Sequence, residues 1–243
     1  MSPDIDIPRA GFRFKQFTVH HDQCAMKVCT DSCILGAWFS EKIAPGAKVL
    51  DIGAGSGLLT LMLAQKAEAQ FHAIEKDSHA FEQMKENVEQ SKWKEKISMF
   101  IGDATTCTFP QAYDFIICNP PFYEHDLKSD NEKKNLARHA TGLSLTDLTM
   151  VIDRNLSASG SFGILLPYQR SQQYEQLALS SGFHLYEKLL VRQTPRHDFF
   201  RSILHFTRYP VQQKQPEALI IKKEDGSYSD AFTDLLKAYY LYL

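Results

Sequence analysis

The sequence predicts an α/β protein organised around a mostly parallel β-sheet with helices on both faces, and three stretches predict it. Residues 48–52 (KVLDI) pass straight into Gly53-Ala54-Gly55-Ser56-Gly57 and then into the helical pattern LLTLMLAQKA, so a strand, a glycine loop and a helix follow in immediate succession. Residues 113–122 (YDFIICNPPF) carry an apolar run that stops at Asn119-Pro120-Pro121-Phe122. Two consecutive prolines cannot donate to a strand ladder, so this strand ends at Asn119. Residues 183–191 and 200–207 read as strands joined by a short link without a helix, which demands an antiparallel pair.

The remaining elements follow in order. The pattern FRFKQFTVH from Phe12 predicts a strand with one irregularity, with a turn at residues 20–23 and a returning strand over residues 25–28. Thr30 or Asp31 is expected to cap a helix that buries Ile34, Leu35, Ala37, Trp38 and Phe39 and ends before Pro45-Gly46. Residues 71–74 form the second strand of the main sheet, ending in Glu75. Asp77 caps the helix that follows, with Ala80, Phe81, Met84 and Val88 at helical spacing. Residues 97–101 are the third strand, followed by Gly102-Asp103. After a polar, aperiodic stretch over residues 123–142, expected to be a long loop beside the site, Ser144 caps a helix running to Leu156. Residues 160–166 are the fifth strand, and residues 169–180 a helix closed by Gly182. Beyond Arg208 come a linker, a short strand around residues 219–221, an Asp225-Gly226 turn and a terminal helix. The chain is expected to be one domain over residues 1–243: an N-terminal strand and helix appendage (1–45), a catalytic core (46–208) and a C-terminal strand and helix (209–243).

Composition narrows the function. With 243 residues, 44% hydrophobic and 23% charged, the chain has the profile of a soluble globular protein. No apolar run approaches the roughly 20 residues of a membrane span. The first residues lack the pattern of a signal peptide, and the five cysteines form no C-x-x-C pair; both point to a cytoplasmic protein with reduced thiols and no metal site. A net charge of −2 excludes a uniformly basic face, so a polyanionic partner needs a local patch. That patch is expected at Arg192, Arg196 and Arg201, with Arg208, in the late hairpin, where Asp198 is the one opposing charge in sequence.

The chemistry sits at strand ends, where open α/β sheets bind ligands. Glycines let backbone approach a ligand closely, and the new helix offers free N–H groups. Glu75, 18 residues beyond Gly57, is placed to accept ribose hydroxyl hydrogens, and Asp103 an adenine exocyclic amine. An amine conjugated with an aromatic ring is a poor nucleophile, because its lone pair is delocalised. The Asn119 side-chain oxygen and the Pro120 carbonyl can accept both of its N–H protons and localise that pair, and Phe122 can stack on the ring.

These motifs resemble the class I S-adenosylmethionine-dependent methyltransferases: DIGAGSG as the cofactor loop, Glu75 as the ribose acid, Asp103 as the adenine acid and NPPF as the amino-group clamp. The resemblance implies a Rossmann-like, seven-stranded, mostly parallel sheet with one antiparallel strand, with S-adenosylmethionine as cofactor. It assigns Thr30, Asp51, Gly53, Gly55, Gly57, Glu75, Asp103 and Asn119 to cofactor binding and Asn119, Pro120, Pro121 and Phe122 to catalysis. FRFKQF, MKVCTDSCILGAWF and CNPPFYE further resemble the tRNA (adenine-N6)-methyltransferases acting on valine tRNA, which modify the adenine 3′ of the anticodon. The implied partner is then a tRNA anticodon loop, with no obligate protein partner. Members of that family carry K-V-G-T-D-G, with glycines where Cys29 and Cys33 are taken to stand. Thr30 and Asp31 are then expected near the methionine end of the cofactor. The alternatives are methylation of a glutamine amide in a release factor, methylation of a ribosomal RNA amino group, and a non-catalytic cofactor- or tRNA-binding module.

Overall fold

The computed structural model describes residues 10–121 and 143–243. Its elements are β1 (Gly11–Arg13), β2 (Thr18–His20), α1 (Thr30–Ser40), β3 (Lys48–Ile52), α2 (Leu58–Ala64), β4 (Gln70–Glu75), α3 (Ser78–Glu89), β5 (Ile97–Ile101), β6 (Tyr113–Cys118), α4 (Leu145–Asn155), β7 (Leu156–Pro167), α5 (Tyr168–Ser180), β8 (His184–Arg192), β9 (Phe199–Thr207), β10 (Glu217–Ile220) and α6 (Asp230–Leu236). Eight strands form the main sheet in the order β10-β8-β9-β7-β6-β3-β4-β5. β9 alone runs antiparallel to its neighbours, β7 and β8. The count is eight rather than seven because β10 adds to the edge, parallel to β8.

Alternation along the strands divides the core in two. Val49, Phe115, Ile117 and Ile203 face α1, α2, α3 and α6, while Leu50, Ile116, Cys118 and Leu204 face α4 and α5. Strands buried on both faces cannot show a polar stripe, which is why FIIC reads as an unbroken apolar run and KVLDI, with only Asp51 inside it, shows no alternation. The caps at Asp77 and Ser144 form as their sequences require, each side chain accepting from a backbone N–H three residues on.

Four expectations near the N-terminus are corrected. Residues 11–20 form an antiparallel hairpin, with Phe12 paired to Val19, rather than one irregular strand. Residues 25–28 form no strand. The helix cap is Cys29, which makes no side-chain capping bond, with Thr30 the first helical residue. α1 is buried on all sides from Ser32 to Ser40, not on one face, because it lies between the sheet, α2 and the C-terminal segment. The loop expected over 123–142 lies outside the described residues.

Candidate active site

β3 to β8 all end at one edge of the sheet, and β9 begins there, so the glycine loop, Glu75, Asp103, Asn119 and the β8–β9 turn share that edge. Gly53, Gly55 and Gly57 all adopt positive φ, of 69°, 56° and 79°. A Cβ built at Gly53 or Gly55 would meet nothing within 4 Å. The backbone here bends in the left-handed region and leaves space over itself, the requirement for close approach of a ligand. Asp51, buried beneath the loop, accepts through Oδ2 from the Thr60 amide (3.2 Å) and hydroxyl (2.7 Å), while its Oδ1 is buried and, among the described residues, has no partner. Burial pushes its carboxyl up to about 7, against the pull of the Thr60 donors.

Glu75 spans the loop and β4. Its Oε2 accepts from the Gly55 amide, and its Oε1 from the Lys76 and Asp77 amides, each at 2.8 Å. Three of a carboxylate's roughly four acceptor positions are thus occupied, which leaves room for one ribose hydroxyl on Oε2 rather than two evenly shared. Asp103 is equally engaged, with a cation among its three donors. Lys76 Nζ lies 2.9 Å from its Oδ2, the Thr105 amide and hydroxyl bind Oδ1, and this set, led by Lys76, holds its carboxyl down at about 2. An adenine amine would share Oδ2 with Lys76. Arg154 of α4 pins the same loop by donating to the carbonyls of Ala104, Thr105 and Cys107.

Asn119 follows β6. Its Nδ2 donates to Ser32 Oγ at 2.8 Å and lies 3.4 Å from Met26 Sδ, while its Oδ1 is buried and, among the described residues, has no partner. The amide is therefore held by its nitrogen with its acceptor unfilled. An uncompensated buried carbonyl costs about 1–3 kcal/mol, a cost that an incoming N–H donor would remove. Pro120 is buried beside it and Pro121 is exposed. Phe122 lies outside the described residues.

The family model described as the methyltransferase small domain matches residues 24–187. A tRNA1(Val) (adenine(37)-N6)-methyltransferase of Dyadobacter fermentans is 42% identical over 240 residues, covering 97% of this chain and 99% of its own. The enzyme of the same name from Escherichia fergusonii is 38% identical over 241 residues, covering 98% and 97%. The chain belongs to this methyltransferase family. Among solved structures, a predicted O-methyltransferase from Agrobacterium tumefaciens superposes with a TM-score of 0.67 at 16% identity, over 85% of this chain and 95% of its own. A glycopeptide N-methyltransferase complexed with sinefungin superposes at 0.55 and 10% identity, over 75% and 89%. Both confirm the Rossmann-like fold.

In this methyltransferase the N-terminal turn of α1 reaches Asn119. Counted letter by letter, K-V-G-T-D-G spans Lys27 to Ser32, so the second departure from the glycines is Ser32 rather than Cys33. Ser32 is the residue that holds Asn119, and Cys29 Sγ lies 2.9 Å from its hydroxyl. Cys33 is fully buried, with its thiol beside the Tyr240 hydroxyl, and plays no part at the sheet edge. Thr30 is exposed at the start of α1 and also reaches the Tyr240 hydroxyl.

Arg192, Arg196 and Arg201 lie at the expected edge, but Arg208, whose amide donates to the Gly160 carbonyl where antiparallel β9 ends, lies at the opposite one, and Asp198 is not their one opposing charge. Arg201 Nε pairs with Asp31 at 2.7 Å, Arg208 with Asp153 at 2.7 Å, and Arg196 with Glu224 through two contacts of 3.2 Å. These partners come from α1, α4 and the segment after β10, which no local count of charge reveals. Arg192 donates to the Pro195 carbonyl and lies over the Phe199 ring. Sequence reasoning also missed Asn87, which is buried and ties the β1–β2 hairpin to the glycine loop by donating to the carbonyls of His20 and Ser56. A signal was present: Gln83 and Asn87 are polar residues on the buried stripe of α3.

Proposed function

We propose that the protein transfers a methyl group from S-adenosylmethionine to the N6 amine of the adenine 3′ of the anticodon in valine tRNA. The observation that carries this reading is the buried, unpartnered Oδ1 of Asn119 at the carboxyl end of β6, and the names of the full-length relatives support it. Gly53 and Gly55 give the cofactor its backbone approach, Asp51 and Glu75 offer acceptors, and Gly57, Thr30 and Asp103 complete the walls. S-adenosylmethionine supplies an electrophilic sulfonium methyl whose transfer discharges the sulfonium.

Asn119 Oδ1 and the Pro120 carbonyl accept the two N–H hydrogens of the target amine, drawing the nitrogen toward tetrahedral geometry and freeing its lone pair. Ser32 and Met26 keep the amide from turning. Pro121 stiffens the turn, and Phe122 stacks on the base. Fixed orientation and preorganised acceptors supply the acceleration, and the amine proton leaves to water. A loop base is already partly unstacked, so drawing it into the clamp costs less than extracting one from a duplex.

Arg192, Arg196 and Arg201 lie where the phosphates flanking such a base would pass. Arg196 is the readiest to exchange partners, since its ion pair with Glu224 is exposed and worth at most about 1 kcal/mol. Arg196→Ala is expected to weaken tRNA binding and lower the salt slope by about 0.7–0.9, without changing cofactor affinity. The central test is incubation with cofactor and unmodified tRNA, digestion, and identification of the modified nucleoside by mass. N6-methyladenosine from wild type, and a loss of about 10²- to 10³-fold in Asn119→Ala with cofactor affinity retained, are expected. Undiminished transfer by Asn119→Ala would remove the clamp.

A further inference from the structure

We infer that Tyr168 and Phe199, flanked by Arg192, form a stacking ledge for a nucleobase adjacent to the one being methylated. The inference rests on the tRNA reading above and names a second contact within it. Tyr168 is the first residue of α5, and the buried positions Ser171, Tyr174 and Ala178 of that helix continue the line on which it stands. One turn above Ser171, that line passes the end of the sheet, for β7 stops at Pro167, paired with Arg201. The Tyr168 ring therefore has no core to enter and remains 40% exposed. Its ring neighbour is Phe199, with centroids 5.6 Å apart and planes tilted by 43°. Beside Phe199 lies the Arg192 guanidinium, 5.4 Å from the ring centroid, with its Nε buried and, among the described residues, without a partner. Cation, ring and exposed ring are thus ordered along the sheet edge, from the end of β8 through the start of β9 to the end of β7.

This ledge is next to the clamp. β7 is the neighbour of β6, and Cys118 is paired with Ile164, so Asn119 and Tyr168 differ by three residues of advance along adjacent strands. At about 3.3 Å per residue and 4.8 Å between strands, that separation is roughly 11 Å, within reach of a nucleotide flanking the target base. Aromatic faces with an arginine beside them suit an unpaired base, which stacks without regard to its identity.

The experiment uses the full chain and unmodified tRNA. Tyr168→Ala and Phe199→Ala are expected to weaken tRNA binding by about 5- to 150-fold, with cofactor affinity and Tm unchanged. Because no phosphate contact is lost, the slope of log affinity against log salt stays at the wild-type value, unlike that of an arginine variant. Tyr168→Trp is expected to restore binding. A second arm alters the RNA: tRNAs carrying one abasic nucleotide, on either side of the target adenine, are titrated with wild type and with Tyr168→Ala. One of the two should lose about as much affinity as Tyr168→Ala, and Tyr168→Ala should lose nothing further on that RNA. Wild-type affinity in both alanine variants, or additive losses from the variant and both abasic RNAs, would overturn the ledge while leaving the clamp standing. Wild-type protein that neither binds nor methylates tRNA would overturn the functional reading itself.

Discussion

Gly55→Ala separates what the glycine loop does for the fold from what it does for the ligand. Gly55 has φ +56°, a conformation that costs an L-residue about 1–2 kcal/mol, and a Cβ there would meet no atom of the protein within 4 Å. Gly46 is the matched control, with φ +78° and equally open space, but at the opposite edge of the sheet before β3. Both alanine variants should therefore lose about 1–2 kcal/mol, a fall in Tm of roughly 2–8 °C for a chain of this size. They should differ in titration calorimetry with S-adenosylmethionine. A methyl group forced into a closely packed contact costs about 1–3 kcal/mol, so Gly55→Ala should bind about 5- to 150-fold more weakly, while Gly46→Ala binds as wild type does. Equal affinity in both variants would refute the placement of the cofactor over the loop. Loss of affinity in both would show strain spreading through β3 rather than a steric block.

Two further predictions concern pH. Asp51 is held protonated up to about pH 7, and a cationic ligand at its unfilled Oδ1 favours the ionised form, so cofactor affinity should rise between about pH 6 and 8 with release of a proton. Calorimetry in buffers of different ionisation enthalpy reads that proton, and Asp51→Asn should abolish both effects. Glu187 is buried, which alone would raise its pKa, but Lys214, Lys42 and His205 hold its carboxyl down at about 2. A depressed acid stabilises the fold above its unfolded value, near 4.3, and that stability is lost as pH falls toward 2. The unfolding free energy of wild type from urea titration should drop over this window by an amount on the order of 3 kcal/mol, and that of Glu187→Gln should drop much less.

Much of the sheet was legible because a buried strand advertises itself by apolar runs and by what stops them: glycines after Ile52, an acid after Ile74, prolines after Asn119. The placement of Glu75, Asp103 and Asn119 at one edge followed from strand direction alone. Partners did not follow. Ser32 meets Asn119 across 87 positions, and Arg201 meets Asp31 across 170, so neither pairing leaves a trace in local spacing. Local charge made the hairpin look opposed by Asp198 alone, when further carboxylates arrive from three distant elements. The hairpin at residues 11–20 was misread for a different reason: a tight turn between Phe14 and Phe17, closed by a single backbone bond, looks like a slip of phase when only side-chain alternation is followed.

The β1–β2 hairpin is also stitched to the last elements of the chain. Phe14 bridges Tyr240, the Lys15 amide donates to the Tyr239 carbonyl, and Lys15 Nζ reaches the Lys237 carbonyl. Tyr240 in turn closes over Thr30 and Cys33 at the start of α1, the turn that carries Ser32 to Asn119. During synthesis the first of these partners emerges more than 220 residues before the last. The entropy of closing so long a loop grows only logarithmically with its length, but the contact cannot form until the final turn has left the ribosome. The sheet, from β3 to β9, can assemble earlier. A nascent chain thus acquires its glycine loop and the end of β6 before the support that steadies Asn119, so cofactor affinity should precede catalytic competence.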